Sequence, residues 1–136
     1  MAKDVVVTFP GGKRVDALVG DKLLRTDQPV HAGGGDSAPA PFDLFAASLA
    51  ACAGYFVLAF CQARGLPTEG IALRQRMSFD EAHRVREVEL DIEVPPGFPE
   101  KYRPALVRAA EGCTVKKAIE AQPRFSVRTV GGAVAA

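Results

Sequence analysis

The stretch PFDLFAASLAACAGYFVLAFCQAR, Pro41 to Arg64, decides how this chain is read. Between Leu44 and Cys61 it carries no charged residue. Pro41 suits the first position of a helix, where its missing N–H costs nothing. Asp43 follows in the first turn, where a carboxylate complements the helix dipole, and Gly65 supplies a C-terminal stop. A helix running to about Arg64 is predicted. Its uncharged run is near the length of a membrane span, but it is rich in alanine and interrupted by Ser48 and Gly54. It also lacks a basic flank or an aromatic belt. We expect a helix packed closely inside protein, and no membrane contact.

Working outward, Val5, Val7 and Phe9 alternate up to Pro10-Gly11-Gly12, and Val15, Ala17 and Val19 alternate after it. This is a hairpin with a glycine turn, and Gly20-Asp21 leads into a third short strand, Lys22–Arg25. Residues 26–40 read as a long loop, of the kind that often serves function. Beyond the helix, Ile71, Leu73, Met77 and Phe79 alternate with Arg74, Arg76 and Ser78. Val88, Leu90, Ile92 and Val94 then alternate with Glu87, Glu89, Asp91 and Glu93. That is a second amphipathic hairpin, with Arg–Glu or Arg–Asp pairs across its wet face. Pro99–Glu111 reads as an amphipathic helix, Gly112 ends it, and a new helix begins at Cys113 and runs to Glu120. Phe125, Val127 and Thr129 read as a last strand, followed by a loose tail from Gly131. Strands and helices are segregated, so the fold class is α+β with antiparallel sheets, in a single domain spanning 1–136.

The 136 residues carry a net charge of +1 and only 7% aromatic residues, which leaves no basic face for nucleic acid. Met1-Ala2-Lys3-Asp4 carries no export signature. Three cysteines without framework spacing argue against a secreted disulfide scaffold, and a reducing cytoplasm is expected. His31 and His83 stand at no zinc spacing, and Gly33-Gly34-Gly35 lacks the Lys-Ser/Thr of a phosphate loop. We expect neither a metal nor a cofactor.

The chemistry lies with two cysteines. Cys52 is in the middle of the apolar helix and shares a face with Ser48, Leu49, Tyr55 and Phe56. Cys113 follows a glycine and opens a helix, where the dipole favours thiolate, with Lys116 and Lys117 within a turn. Core packing is the bland alternative for each. Cys61, nine residues beyond Cys52, points about 180° away on the helix and is expected to fill core.

These residues resemble a known family. Pro41-Phe42-Asp43-Leu44 through Cys52, with Gly112-Cys113-Thr114-Val115-Lys116-Lys117 some sixty residues later, look like the OsmC/Ohr family of thiol peroxidases. The Asp27-Gln28-Pro29 approach with Gly33-Gly34, and the element order, are similar too. The resemblance covers about residues 20–130. It implies antiparallel sheets wrapped around a long buried central helix, in an intertwined homodimer. It implies a peroxidatic Cys52, a resolving Cys113 and reduction of the resulting disulfide by an external thiol or dithiol. An apolar lining of Phe42, Phe45, Leu49, Tyr55 and Phe56 would favour organic hydroperoxides.

The family also uses an Arg beside the thiolate and a Glu that orients it. Ten residues before Cys52, where the Ohr branch has Glu, this chain has Phe42. Asp43 is the nearest acid, and its alternative role is to complement the helix dipole. Arg14, after the first turn, and Arg25, before the glycine loop, both stand as candidates for the Arg. A second reading of the same fold is a binding protein for a small apolar or electrophilic molecule. Cys52 and Cys113 favour the enzyme, and Phe42 and the unsettled arginine favour the binder.

Overall fold

A computed structural model describes residues 4–131. Its elements follow in the order β1 (Val5–Gly11), β2 (Arg14–Val19), β3 (Lys22–Thr26), α1 (Pro41–Ala63), β4 (Ala72–Phe79), β5 (Val85–Glu93), α2 (Arg103–Ala110) and α3 (Thr114–Glu120). Short 3₁₀ turns lie at Val30–Ala32 and Glu100–Tyr102. The architecture is α+β with two antiparallel sheets, β1-β2-β3 and β4-β5. Met1–Lys3 and residues 132–136, the latter containing most of the expected tail, lie outside the described residues.

The first sheet forms as its alternation predicts. β1 pairs with β2 through Val5↔Val19 and Val7↔Ala17, and β2 with β3 through Ala17↔Leu24. The register slips between Thr8 and Gly11, where Pro10 has no N–H to give. An edge strand tolerates this. Gly12 takes φ +58° in the turn, a conformation that glycine adopts without a Cβ penalty.

In β4–β5 the pairs Arg74–Glu93 and Arg76–Asp91 each close at 2.9 Å on the exposed face. Exposed pairs of this kind contribute about 0.2–1 kcal/mol. The turn is held by Asp80, whose Oδ1 accepts the amides of Ala82 and Arg84. The apolar face of this hairpin, with Leu73, Leu90 and Ile92, packs on a core of Ala53, Val57, Cys61, Phe98, Leu106 and Ala110.

α1 places one stripe in that core. Leu49, Ala53, Val57 and Cys61 recur at every fourth residue and are buried. Elsewhere in the single chain the helix faces outward, with Phe42, Tyr55 and Leu58 exposed. Gln75 Nε2 donates to the Ala46 carbonyl at 2.9 Å and ties β4 to the helix.

Two expectations are corrected. The helix predicted over Pro99–Glu111 is a 3₁₀ turn followed by α2 from Arg103. Pro104 cannot donate to the carbonyl four residues back, so the α-helix starts where proline falls in its first turn. The expected last strand at Phe125–Thr129 is absent. Residues 122–131 take no regular structure, and Phe125 and Val127 are 85% and 95% exposed. Their alternation marks a face to bury, but the described residues offer that segment no strand to pair with.

The loop at 26–40 is less irregular than its composition suggests. Asp27 accepts hydrogen bonds from the amides of Gln28, Gly35 and Ser37 and from the Ser37 hydroxyl. Together they hold its carboxyl down at about 2. A Cβ on Gly34 would lie 2.0 Å from the Gln28 carbonyl oxygen, so glycine is required for the close approach. These glycines serve the folding of the loop, and Gly35 spends its amide on Asp27.

Candidate active site

The site forms where α1 meets the start of α3. Gly112 lets the chain pass under the end of α2, and Phe56 stands against it. Cys113 then takes the N-cap position of α3, its sulfur accepting the Lys116 amide at 3.4 Å. The same thiol points toward the Leu49 carbonyl at 3.8 Å. Leu49 precedes Cys52 by one turn, so this contact fixes the beginning of α3 over the face of α1 that carries Cys52.

Cys52 is the second sulfur of the pair. The amides of Val115 and Thr114, the Thr114 hydroxyl and the Cys113 thiol all act on it. The Val115 amide is the largest of these influences, and the thiol titrates below its ordinary range despite the opposing cost of desolvation. Donors aimed at sulfur favour the charged form, which is the nucleophile.

The settings of the two thiols differ from the sequence expectation. Cys52 is only half-buried, whereas Cys113, at 3% exposure, is the enclosed one. Cys113 stands at the N-terminus of α3 as the sequence predicts, and amides of the same first turn also lower the titration of Cys52. Cys61 is fully buried in the core and turned away, and burial pushes its thiol up.

Phe45 and Leu49 line an apolar cavity of about 870 Å³ between β5 and α1–α3, with Cys113 and Lys116 also in its wall. Val88, Leu90, Ile92 and Leu106 make its apolar sides. Sequence reasoning missed this β5 and α2 contribution, although the inward alternation of Val88, Leu90 and Ile92 was the available signal. Tyr55, 61% exposed, packs edge-on to Phe56 at 5.3 Å beside the thiols. Phe42 sits further up α1, against Phe45 and Phe79 at 5.4 and 6.0 Å.

Within one chain the candidate charged residues do not join the thiols. Asp43 Oδ2 accepts the Ala40 amide at 3.0 Å and caps α1. It lies about 13 Å up the helix from Cys52 by helical rise. Arg14 donates from Nε to the Gly11 carbonyl at 3.3 Å and borders a small cradle with the glycine loop. Arg25 is exposed on β3 opposite Asp16. Among the described residues no cluster of His, Cys, Asp and Glu could hold a metal ion.

Comparison with curated proteins gives no match. Among solved structures the chain is similar to a Psychrobacter arcticus 273-4 protein whose name proposes an osmotic-stress-induced detoxification response. The two are 26% identical with a TM-score of 0.72, over 84% of this chain and 85% of that one. It is also similar to an organic hydroperoxide resistance protein, OsmC, of Legionella pneumophila, with 23% identity, a TM-score of 0.58 and 88% and 89% coverage. An organic hydroperoxide resistance protein of Elizabethkingia anophelis gives 19% identity and a TM-score of 0.60 over 90% of each chain. The family model for OsmC-like protein matches residues 33–128, a span that holds both α1 with Cys52 and the start of α3 with Cys113. The chain therefore belongs to the OsmC-like protein family.

Proposed function

We propose that this protein is a cysteine-based peroxidase that reduces organic hydroperoxides, with Cys52 attacking and Cys113 resolving. The observation that carries the reading is that Cys113 sits over the Leu49 carbonyl, one turn before Cys52 on α1, at the start of a helix whose donors favour the Cys52 thiolate. The names of the Legionella and Elizabethkingia proteins support the substrate class.

The thiolate of Cys52 attacks the terminal oxygen of the hydroperoxide. The O–O bond breaks, the alkoxide leaves and takes up a proton to become the alcohol, and Cys52 becomes a sulfenic acid. The Cys113 thiol then attacks that sulfur. An S–S bond forms, the S–O bond breaks, and water departs with the thiol proton. An external thiol or dithiol returns both cysteines to the reduced state by two exchange steps. The apolar cavity beside Cys113 suits a substrate whose hydrocarbon tail gains by leaving water.

The working form in this reading is a cytoplasmic homodimer, acting on a small molecule without nucleic acid or membrane. Support for the dimer comes from apolar surface on one chain. Tyr55 and Leu58 on α1 and Val5, Val7 and Phe9 on β1 are exposed, and exposed apolar surface of this extent marks an interaction face. A second copy is also the place from which an arginine could reach Cys52. That Arg14, Arg25 and Asp43 have their neighbours elsewhere in the chain favours the second reading, a binding protein for a small apolar molecule held in the same cavity.

One titration separates the two. On the peroxidase reading the parent protein should consume cumene hydroperoxide in the presence of dithiothreitol, and Cys52→Ser should fall to the buffer rate. Equal consumption by parent and variant would overturn the peroxidase reading.

A further inference from the structure

We propose that Gln75, held on the Ala46 carbonyl in the wall of the apolar cavity, is that cavity's polar anchor, and that the cavity takes a small apolar molecule carrying a hydroxyl or hydroperoxyl group. The inference rests on the cavity being a ligand site, which both readings above share, and does not require peroxide turnover.

Gln75 breaks the pattern of its sheet. Leu73, Gln75 and Met77 are the half-buried residues of β4, and Leu90 and Ile92 are those of β5. Of these five only Gln75 is polar, and its cross-strand partner is Leu90. An amide on an apolar wall costs free energy unless its hydrogen bonds are made. One is made, from Nε2 to the Ala46 carbonyl at 2.9 Å. Ala46 lies inside α1, where a carbonyl already accepts the amide four residues on. The helix therefore does not need Gln75, and a leucine in its place would continue the wall.

The oxygen of the side chain is left over. Oε1 accepts no hydrogen bond among the described residues, yet no fully buried polar side-chain atom there lacks a partner. This oxygen is therefore open. Gln75 lines the cavity of about 870 Å³, within the size range of small-ligand sites. With Nε2 held on the helix, Oε1 is an acceptor fixed before a ligand arrives. The carboxylates in the same wall, Asp91, Glu111 and Glu120, belong to exposed residues, and Asp91 is already paired with Arg76 at 2.9 Å.

An acceptor in an apolar wall selects for an O–H donor. An alcohol and a hydroperoxide both supply one, and a hydrocarbon does not. Ala46 and Leu49 are about 4.5 Å apart along the axis of α1, and the Cys113 thiol points at the Leu49 carbonyl at 3.8 Å. A hydroxyl on Gln75 would thus sit about one helical turn from that thiol.

The test uses two probes of one shape on the full-length reduced protein. Cumyl alcohol carries a hydroxyl where tert-butylbenzene carries a methyl group. Their dissociation constants are read by NMR titration for the parent and for Gln75→Leu. We expect the variant to lose about tenfold in preference for the alcohol over the hydrocarbon, the scale of one hydrogen bond to a partly buried amide. Gln75→Met should behave as leucine does, and serves if the leucine variant does not fold. A loss shared equally by both probes would show damage to the wall alone and would overturn the assignment. A preference unchanged in a folded variant, or a parent that binds neither probe, would overturn it too. The measurement needs no peroxide. A shifted preference in a protein that fails the Cys52→Ser titration would uphold Gln75 and reject the peroxidase, and an unshifted one beside a passed titration would do the reverse.

Discussion

The sulfur of Cys113 has two occupations: it caps α3 by accepting the Lys116 amide, and its thiol is directed at the Leu49 carbonyl of α1. The proposed disulfide from Cys52 would engage the Cys113 sulfur covalently and remove the S–H directed at the Leu49 carbonyl. Oxidation, on that proposal, and the anchoring of a seven-residue helix would then be linked in one atom.

That linkage separates two substitutions. Serine is a good N-cap and alanine a poor one, with about 1 kcal/mol between them. Cys113→Ser should hold parental stability within a few tenths of a kcal/mol in urea unfolding, and Cys113→Ala should lose about 1 kcal/mol. Neither variant can form the bridge. After one equivalent of hydroperoxide, both should accumulate Cys52 sulfenic acid, trapped by dimedone and read by mass spectrometry. Equal stability of the two variants would show that the sulfur does not act as a cap.

Cys61 predicts the opposite pattern. It is fully buried between Val57 and the α2 core and faces away from Cys52. Oxidised parent protein should show a Cys52–Cys113 bridge with Cys61 free in a peptide map. Cys61→Ala should keep its peroxidase rate and lose roughly 1–2 kcal/mol of stability, as a small cavity in the core requires. A fall in rate without a fall in stability would place Cys61 in the chemistry.

Asp27 sets an acid limit on the fold. Its carboxyl stands at about 2, against an ordinary value of 3.8, chiefly through the Ser37 hydroxyl and amide. A depressed carboxylate stabilises the folded chain above its unfolded value. That contribution is lost as pH falls through the folded one. Asp27→Asn should lower Tm at pH 6, and its deficit relative to the parent should shrink as pH drops from about 4 to about 2. A deficit that stays constant over that window would show that the charge of Asp27 is not what holds the loop.

These residues also show how far the sequence could be read. α1 spans Pro41–Ala63 as its start and stop signals predict, and both hairpins follow their period-two alternation. The burial of Cys52 was not legible, because α1 is apolar on every side and its composition does not say which stripe the chain itself covers. The stripe turned out to run through Ala53, one residue and about 100° from Cys52. Phe125 and Val127 were legible as strand residues but not as unpaired ones, since pairing is a property of a neighbour.

The outward face of α1 gives the last prediction. Gly54 lies between Ala51 and Leu58 on that side, and a Cβ there meets nothing within 4 Å in one chain. In a helix facing water, Gly54→Ala should stabilise by about 1 kcal/mol, the difference in helix propensity. If a second copy packs against this face, as the proposed homodimer requires, the small residue is what permits the approach and the added methyl resists it. We expect Gly54→Ala to raise the dimer dissociation constant about tenfold or more in sedimentation equilibrium, and to raise helix stability only in the dissociated chain. A dissociation constant unchanged from the parent, with the full propensity gain retained, would remove this face of α1 from the interface.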